Sequence, residues 1–203
     1  MTLQELKQCA LITDIPIMSD ETIEAISKEI AVHHCFSVLE IGTAIGYSSL
    51  SLAHSHPHIH ITTLEKDEDR YEEALRHKAI LDPRNQVNMI LVDAFEYIPS
   101  QYYDCIILDG AKASNQRFFQ RYFPFLKQSG CMLIDNIDFH GARTEDIDHR
   151  SRQFRKMIHK LNEFESWIME HQNVDVVKMN VGDGLFKITH KPHDTLNYGK
   201  IVQ

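Results

Sequence analysis

From residue 37 onward, short apolar runs alternate with longer segments of helical period, and that alternation restricts the chain to folds assembled from βαβ units. Expected strands cover 37–41, 60–65, 87–92, 103–109 and 131–135, each a β-branched or aliphatic run of strand length. Helices are expected in the gaps. The segment 67–81 carries Tyr71, Ala74, Leu75 and Ala79 on one face and stops before Pro83. A second helix is expected over 114–126. A longer one, over 150–170, repeats Phe154, Ile158, Leu161, Phe164 and Ile168 at i, i+3, i+4 spacing. Upstream, Ser19 or Asp20 is placed to cap a helix ending near His33. Segment 174–189 reads as two strands turned antiparallel around Gly182-Asp183-Gly184. Together these elements make an α/β doubly wound fold: a mostly parallel seven-stranded sheet with an antiparallel C-terminal hairpin. Ligands of such folds sit beyond the carboxyl ends of the strands.

A chain of 203 residues with 43% hydrophobic content can bury one continuous core. A single domain over 1–203 is therefore expected, with 1–33 as a helical cover on an α/β core at 37–190. No stretch approaches the roughly 20 apolar residues of a membrane helix, and the start, Met1-Thr2-Leu3-Gln4-Glu5, lacks a basic segment followed by an apolar one. These features predict a soluble cytoplasmic protein with no membrane partner. Cys9, Cys35, Cys105 and Cys131 lie far apart without a C-x-x-C pair, which argues against a disulfide framework or a zinc cluster and for reduced, mostly buried thiols. The net charge of −8 repels polyanions at long range, so a nucleic-acid partner requires a local basic patch.

Chemistry is therefore sought at the strand ends. The first runs into Glu40-Ile41-Gly42-Thr43-Ala44-Ile45-Gly46-Tyr47-Ser48, where Gly42 permits a tight turn and Gly46 a close helix approach; glycines here also serve packing alone. The spacing does not fit the dinucleotide pattern G-x-G-x-x-G. About twenty residues on, Glu65 stands where a carboxylate accepts hydrogen bonds from a ribose diol, of S-adenosylmethionine (SAM) or of a nicotinamide cofactor. It could instead cap the next helix, although Asp67 and Glu68 are better placed for that. Asp93 could accept from an adenine amino group or cap a helix. Asp109, on the fourth strand tip, and Asp135-Asn136, on the fifth, offer two carboxylates and an amide oxygen to one point, a hard oxygen set suited to Mg²⁺. Lys112 is in reach of a metal-bound hydroxyl and is a candidate base; a surface pair with Asp109 is the plainer reading. His54, His56, His58 and His60 alternate as a strand metal site might, but they precede the second strand, at the far end of the sheet, and read as a solvated loop.

With Leu39-Glu40-Ile41-Gly42-Thr43, Tyr47-Ser48, Glu65, Asp109-x-x-Lys112 and Asp135-Asn136 in place, the chain resembles the cation-dependent O-methyltransferases of the catechol and caffeoyl-CoA type over about 15–189. The resemblance implies a Rossmann-like class I SAM methyltransferase. It implies that Glu40, Gly42, Ser48, Glu65 and Ala94 line the SAM site with Met18 covering it, that Asp109, Asp135 and Asn136 hold a divalent cation, and that Lys112 assists deprotonation. A homodimer is implied as well. Within the family, Ile15-Pro16-Ile17, the Gly42 turn, Phe139-His140-Gly141 after Asp135-Asn136, Phe164-Glu165-Ser166-Trp167-Ile168-Met169 and Gly182-Asp183-Gly184 are most similar to bacterial tRNA 5-hydroxyuridine methyltransferases, which make 5-methoxyuridine at the wobble position. Two departures stand out: Ala113-Ser114-Asn115 lacks an aromatic near Asn115, and Asp138 adds a carboxylate.

The in-line transfer of a methyl group from a sulfonium requires an oxygen nucleophile held near the methyl carbon and made anionic. A cation beside a lysine does this for any substrate with two adjacent oxygens, and both catechols and 5-hydroxyuracil qualify. The resemblance implies a tRNA anticodon loop as substrate; a small catechol-like molecule is the alternative. Arg143, Arg150, Arg152, Arg155, Lys156 and Lys160 cluster after the fifth strand, as phosphate ligands or as a solvated face balanced by Glu145, Asp146 and Asp148.

Overall fold

A computed structural model describes residues 1–110, 112–138 and 149–192. Seven strands form one sheet: β1 (Ser37–Ile41), β2 (His60–Glu65), β3 (Val87–Leu91), β4 (Tyr103–Leu108), β5 (Leu126–Asp135), β6 (Val174–Met179) and β7 (Leu185–His190). Their order is β3-β2-β1-β4-β5-β7-β6, with β1 to β5 parallel and the final hairpin antiparallel. The chain reverses its winding between β1 and β4, and this is the switch point where open α/β sheets leave a crevice.

Alternation along the strands divides the core. Val38, Cys105, Ile107, Cys131 and Leu133 face helices α1 (Leu3–Ile12), α2 (Asp20–Val32), α3 (Tyr47–Ser55) and α4 (Glu68–Leu81). Leu39, Ile41, Ile106, Leu108, Met132 and Ile134 face α5 (Asn115–Tyr122) and α6 (Arg152–Met169). With both faces covered, the central strands read as unbroken apolar runs. Helix starts follow capping chemistry: Ser19 accepts from the Thr22 amide, Asp67 from Arg70, and Ser151 from Phe154. Helix α1, within the expected N-terminal cover, begins with a reciprocal capping box between Thr2 and Glu5.

Several boundaries differ from expectation. The helix expected over 114–126 ends at Tyr122, because Pro124 lies in a 3₁₀ turn over Phe123–Phe125, and β5 starts at Leu126 rather than 131. After Leu126, the residues Lys127 to Ser129 are exposed and polar and so carry no apolar signal. No helix fills the gap between β3 and β4, where a turn at 94–96 leads into Pro99. The four cysteines are free, as expected, with Cys35, Cys105 and Cys131 buried. Sequence distance misleads on one point, however, because insertion of β4 between β1 and β5 brings those three thiols close together. No helix of the described residues is long and apolar enough to cross a membrane.

Candidate functional site

A cavity of about 340 Å³ opens at the carboxyl ends of the strands around the switch point, a volume within the range of small-molecule sites. Of the expected site residues, Met18, Gly42, Glu65, Asp93, Ala94, Asp109, Lys112 and Asn136 line it. Asp135 faces an adjoining cavity that shares Met18 and Asn136 with the first.

The floor is the turn after β1. The Gly42 and Thr43 amides both donate to the Leu64 carbonyl, at 3.0 and 3.2 Å. Glu65 fixes the next step: one carboxylate oxygen accepts from the Ala44 amide at 2.8 Å, the other from the Lys66 and Asp67 amides at 2.9 and 3.0 Å. Helix capping is left to Asp67. A carboxylate has about four acceptor sites, so Glu65 retains one for a ligand hydroxyl. Asp93 closes its own turn by accepting from the Phe95 amide at 2.8 Å. Phe95 and Phe118, both in the wall, stack at 4.6 Å between centroids, and the Arg117 guanidinium lies 4.0 Å over Phe95. These aromatics went unread as site residues because apolar periodicity assigns them to the core. Arg70, on the first turn of α4, joins the wall without any sequence signal.

Glu40 and Ser48 are not in that wall. Strand alternation puts Glu40 on the face of Val38, beneath α3, fully buried, where Ser48 and Thr63 hydroxyls donate to it at 2.5 Å each. They support the turn from behind. Burial pushes the Glu40 carboxyl up to about 7, against the pull of those two donors. Between its unfolded value of 4.5 and about 7, the folded chain holds a proton that the unfolded chain has lost, so stability falls as pH rises through that window. Glu40→Gln is expected to remove this slope, on the order of 2 to 3 kcal/mol, in urea melts at pH 4.5 and 8.

The acidic cluster lies at adjacent tips, where Leu108 pairs with Ile134. Lys112 Nζ donates to Asp109 Oδ1 at 2.7 Å, so the plainer pairing exists, inside the cavity wall. Asp135, 2% exposed, accepts from the Asn136 side chain on Oδ2, while its Oδ1 is buried without a hydrogen-bond partner. Burial first, and then the negative charge of Asp109, raise its carboxyl to about 6. Two carboxylates held close at such cost, with one orphaned oxygen and an amide beside them on a positive-φ residue, fit the requirements of a hard cation. Asp138 is turned away and bridges to Lys178 at 2.6 Å. Asn115, near which an aromatic is expected, is buried with its Nδ2 unpartnered.

On α6, Arg152, Arg155, Lys156 and Lys160 are exposed, and Arg150 packs 5.4 Å over Phe154. Arg143, Glu145, Asp146, Asp148 and the Phe139-His140-Gly141 segment lie outside the described residues, as does Ala111. His54, His58 and His60 are exposed away from the cavity, and His56 bonds to Ser27 at 2.7 Å.

A family model described as O-methyltransferase matches residues 1–191. A crystal structure from Staphylococcus aureus, described as a candidate caffeoyl-CoA O-methyltransferase, superposes with a TM-score of 0.87 at 33% identity, covering 94% of this chain and 92% of that one. A Bacillus cereus O-methyltransferase solved with S-adenosylhomocysteine shares the fold at 21% identity and TM-score 0.78, over 93% and 90% of the two chains. A Thermoplasma volcanium protein named as a cobalt-precorrin-6B C(15)-methyltransferase is 28% identical over 122 residues, 59% of this chain; the match spans only 61% of that relative.

Proposed function

Because this chain belongs to the O-methyltransferase family, we propose that it transfers the methyl group of SAM to O5 of 5-hydroxyuridine in the anticodon loop of tRNA, with a divalent cation as cofactor. The observation that carries the reading is the unpartnered Asp135 oxygen, adjacent to Asp109 and Asn136, which both line a cavity of cofactor size. Glu65 accepts one ribose hydroxyl on its remaining acceptor site, and Phe95 and Phe118 offer a flat apolar wall to the adenine. Met18 covers the cofactor from the N-terminal side. Asp109, Asp135 and Asn136 would hold the cation, which when bound supplies Lewis acidity to a substrate with adjacent oxygens.

Lys112 is held at the site by its 2.7 Å contact with Asp109 and would accept the proton of the attacking hydroxyl as the free amine, with Asp109 turned to the cation. Lys112→Met is expected to lower kcat on the order of 100-fold, with the residual rate rising with pH as free hydroxide takes over. An unchanged kcat under saturating SAM would remove Lys112 from the proton path.

The exposed basic residues of α6 support an RNA substrate despite the negative total charge. Incubation of the protein with SAM, Mg²⁺ and hydroxyuridine-containing tRNA, followed by nucleoside analysis, is expected to yield 5-methoxyuridine at a rate that falls steeply with salt. No 5-methoxyuridine, together with salt-independent methylation of dihydroxyphenyl compounds, would transfer the assignment to a small catechol-like substrate, in line with the caffeoyl-CoA O-methyltransferase name of the Staphylococcus aureus relative.

A further inference from the structure

On the far side of the sheet from the cavity, the end of α2 crosses β5. Glu29 and His33, four residues apart, share one face there and meet Cys131. Among the described residues, they are a group of metal-ligating types whose ligand atoms all lie within 4.8 Å of one another. Cys131 in turn contacts the thiols of Cys35 and Cys105.

The surroundings are those of a ligand set. His33 Nδ1 lies 2.9 Å from the Ser129 carbonyl, which can only accept, so Nδ1 carries a proton. In a neutral ring this leaves the Nε2 lone pair aimed at Glu29, 3.5 Å from its carboxylate oxygen. Zinc ligands at about 2.0 to 2.3 Å from the ion stand roughly 3.5 Å apart at the corners of a tetrahedron. The His33–Glu29 separation already matches that edge. Lys187 pairs with Glu29 at 3.1 Å from β7.

We propose that Glu29, His33 and Cys131 form a second cation site, distinct from the acidic cluster, that takes a borderline-soft divalent ion such as zinc. The contact of Glu29, His33 and Cys131 across α2 and β5 is the juxtaposition that carries it. Binding releases the Cys131 thiol proton to solvent. The Cys131 thiolate and the Glu29 carboxylate then balance the charge of the dication, with Lys187 beside Glu29. Such an ion would pin the end of α2 to the sheet, whereas the acidic cluster, all oxygen, selects magnesium.

Cobalt(II) is the probe. With excess Mg²⁺ and a phosphine reductant present, titration of the full chain with Co²⁺ is expected to raise a near-ultraviolet sulfur-to-cobalt charge-transfer band that saturates at one equivalent and is displaced by Zn²⁺. The band should vanish in Cys131→Ser and weaken sharply in His33→Ala. The latter residue is partly exposed, and its replacement spares the core should the serine variant misfold. Cys9→Ser and Asp135→Asn should leave the band intact. Absence of the band in the wild type, its survival in His33→Ala at full strength, or its loss in Cys9→Ser would each overturn the site. None of these readouts depends on methyl transfer.

Discussion

Asp135→Asn is expected to give a folded protein that is more stable than wild type without added cation and whose methyl transfer is reduced on the order of 1000-fold. The two effects share a cause. Asp135 ionises at about 6 in the folded chain against 3.8 in the unfolded one, because burial and the charge of Asp109 both oppose its anion. Between those pH values the folded state holds a proton that the unfolded state has lost, so stability falls as pH rises and stays lower above about 6. A shift of that size corresponds to on the order of 2 to 3 kcal/mol. The amide removes that cost and with it the anionic ligand. Thermal melts at pH 7.5 should therefore show the variant above wild type without cation, with Mg²⁺ raising the wild-type midpoint and leaving the variant's unchanged. A variant that melts lower and remains active would show that the carboxylate is structural.

The parts of the molecule legible in its sequence are those where burial writes a continuous pattern. Strands β1, β2, β4 and the inner half of β5 are covered on both faces, so their apolar runs are unbroken, and the residues just past them are the ones that face the crevice. Gly42, Glu65, Asp93, Asp109 and Asn136 were legible for that reason. Glu40 was placed one layer too far forward: its distance along the chain from Gly42 is right, but a period of two sends its side chain under α3 with Val38. Phe95 and Phe118 carried the opposite ambiguity, since an aromatic that lines a cofactor cavity and one that fills a core look alike by spacing. The thiol cluster depends on the strand order, in which β4 lies between β1 and β5, and on α2 crossing β5. Spacing between residues 35, 105 and 131 could not report that contact. What joins the two ends of the protein is α2: Met18 covers the cavity just ahead of it, and Glu29 and His33 anchor its far end on β5.

Gly42→Ala is expected to destabilise the fold by about 4 kcal/mol, near the upper end for a single substitution, and to weaken cofactor binding together with turnover. The residue has φ +107°, a region that side chains avoid. A Cβ there would stand 2.5 Å from the Asp109 carbonyl oxygen and 3.0 Å from its carbon. That neighbour cannot yield, because the Asp109 amide donates to the Ile41 carbonyl at 3.0 Å and ties the two strand tips together. Relief must come from spreading β1 from β4, which displaces Asp109 and with it the Lys112 pair. Gly130 separates this effect from simple loss of stability. A Cβ at Gly130 meets the Asp104 carbonyl at the same 2.5 Å, but on the β5 segment whose neighbours lie away from the cavity. Gly130→Ala should therefore lower the melting point while leaving KM for SAM unchanged below the transition, whereas Gly42→Ala should change both. Equal KM values in the two variants would mean that the turn after β1 is a packing element and that the cofactor is held elsewhere.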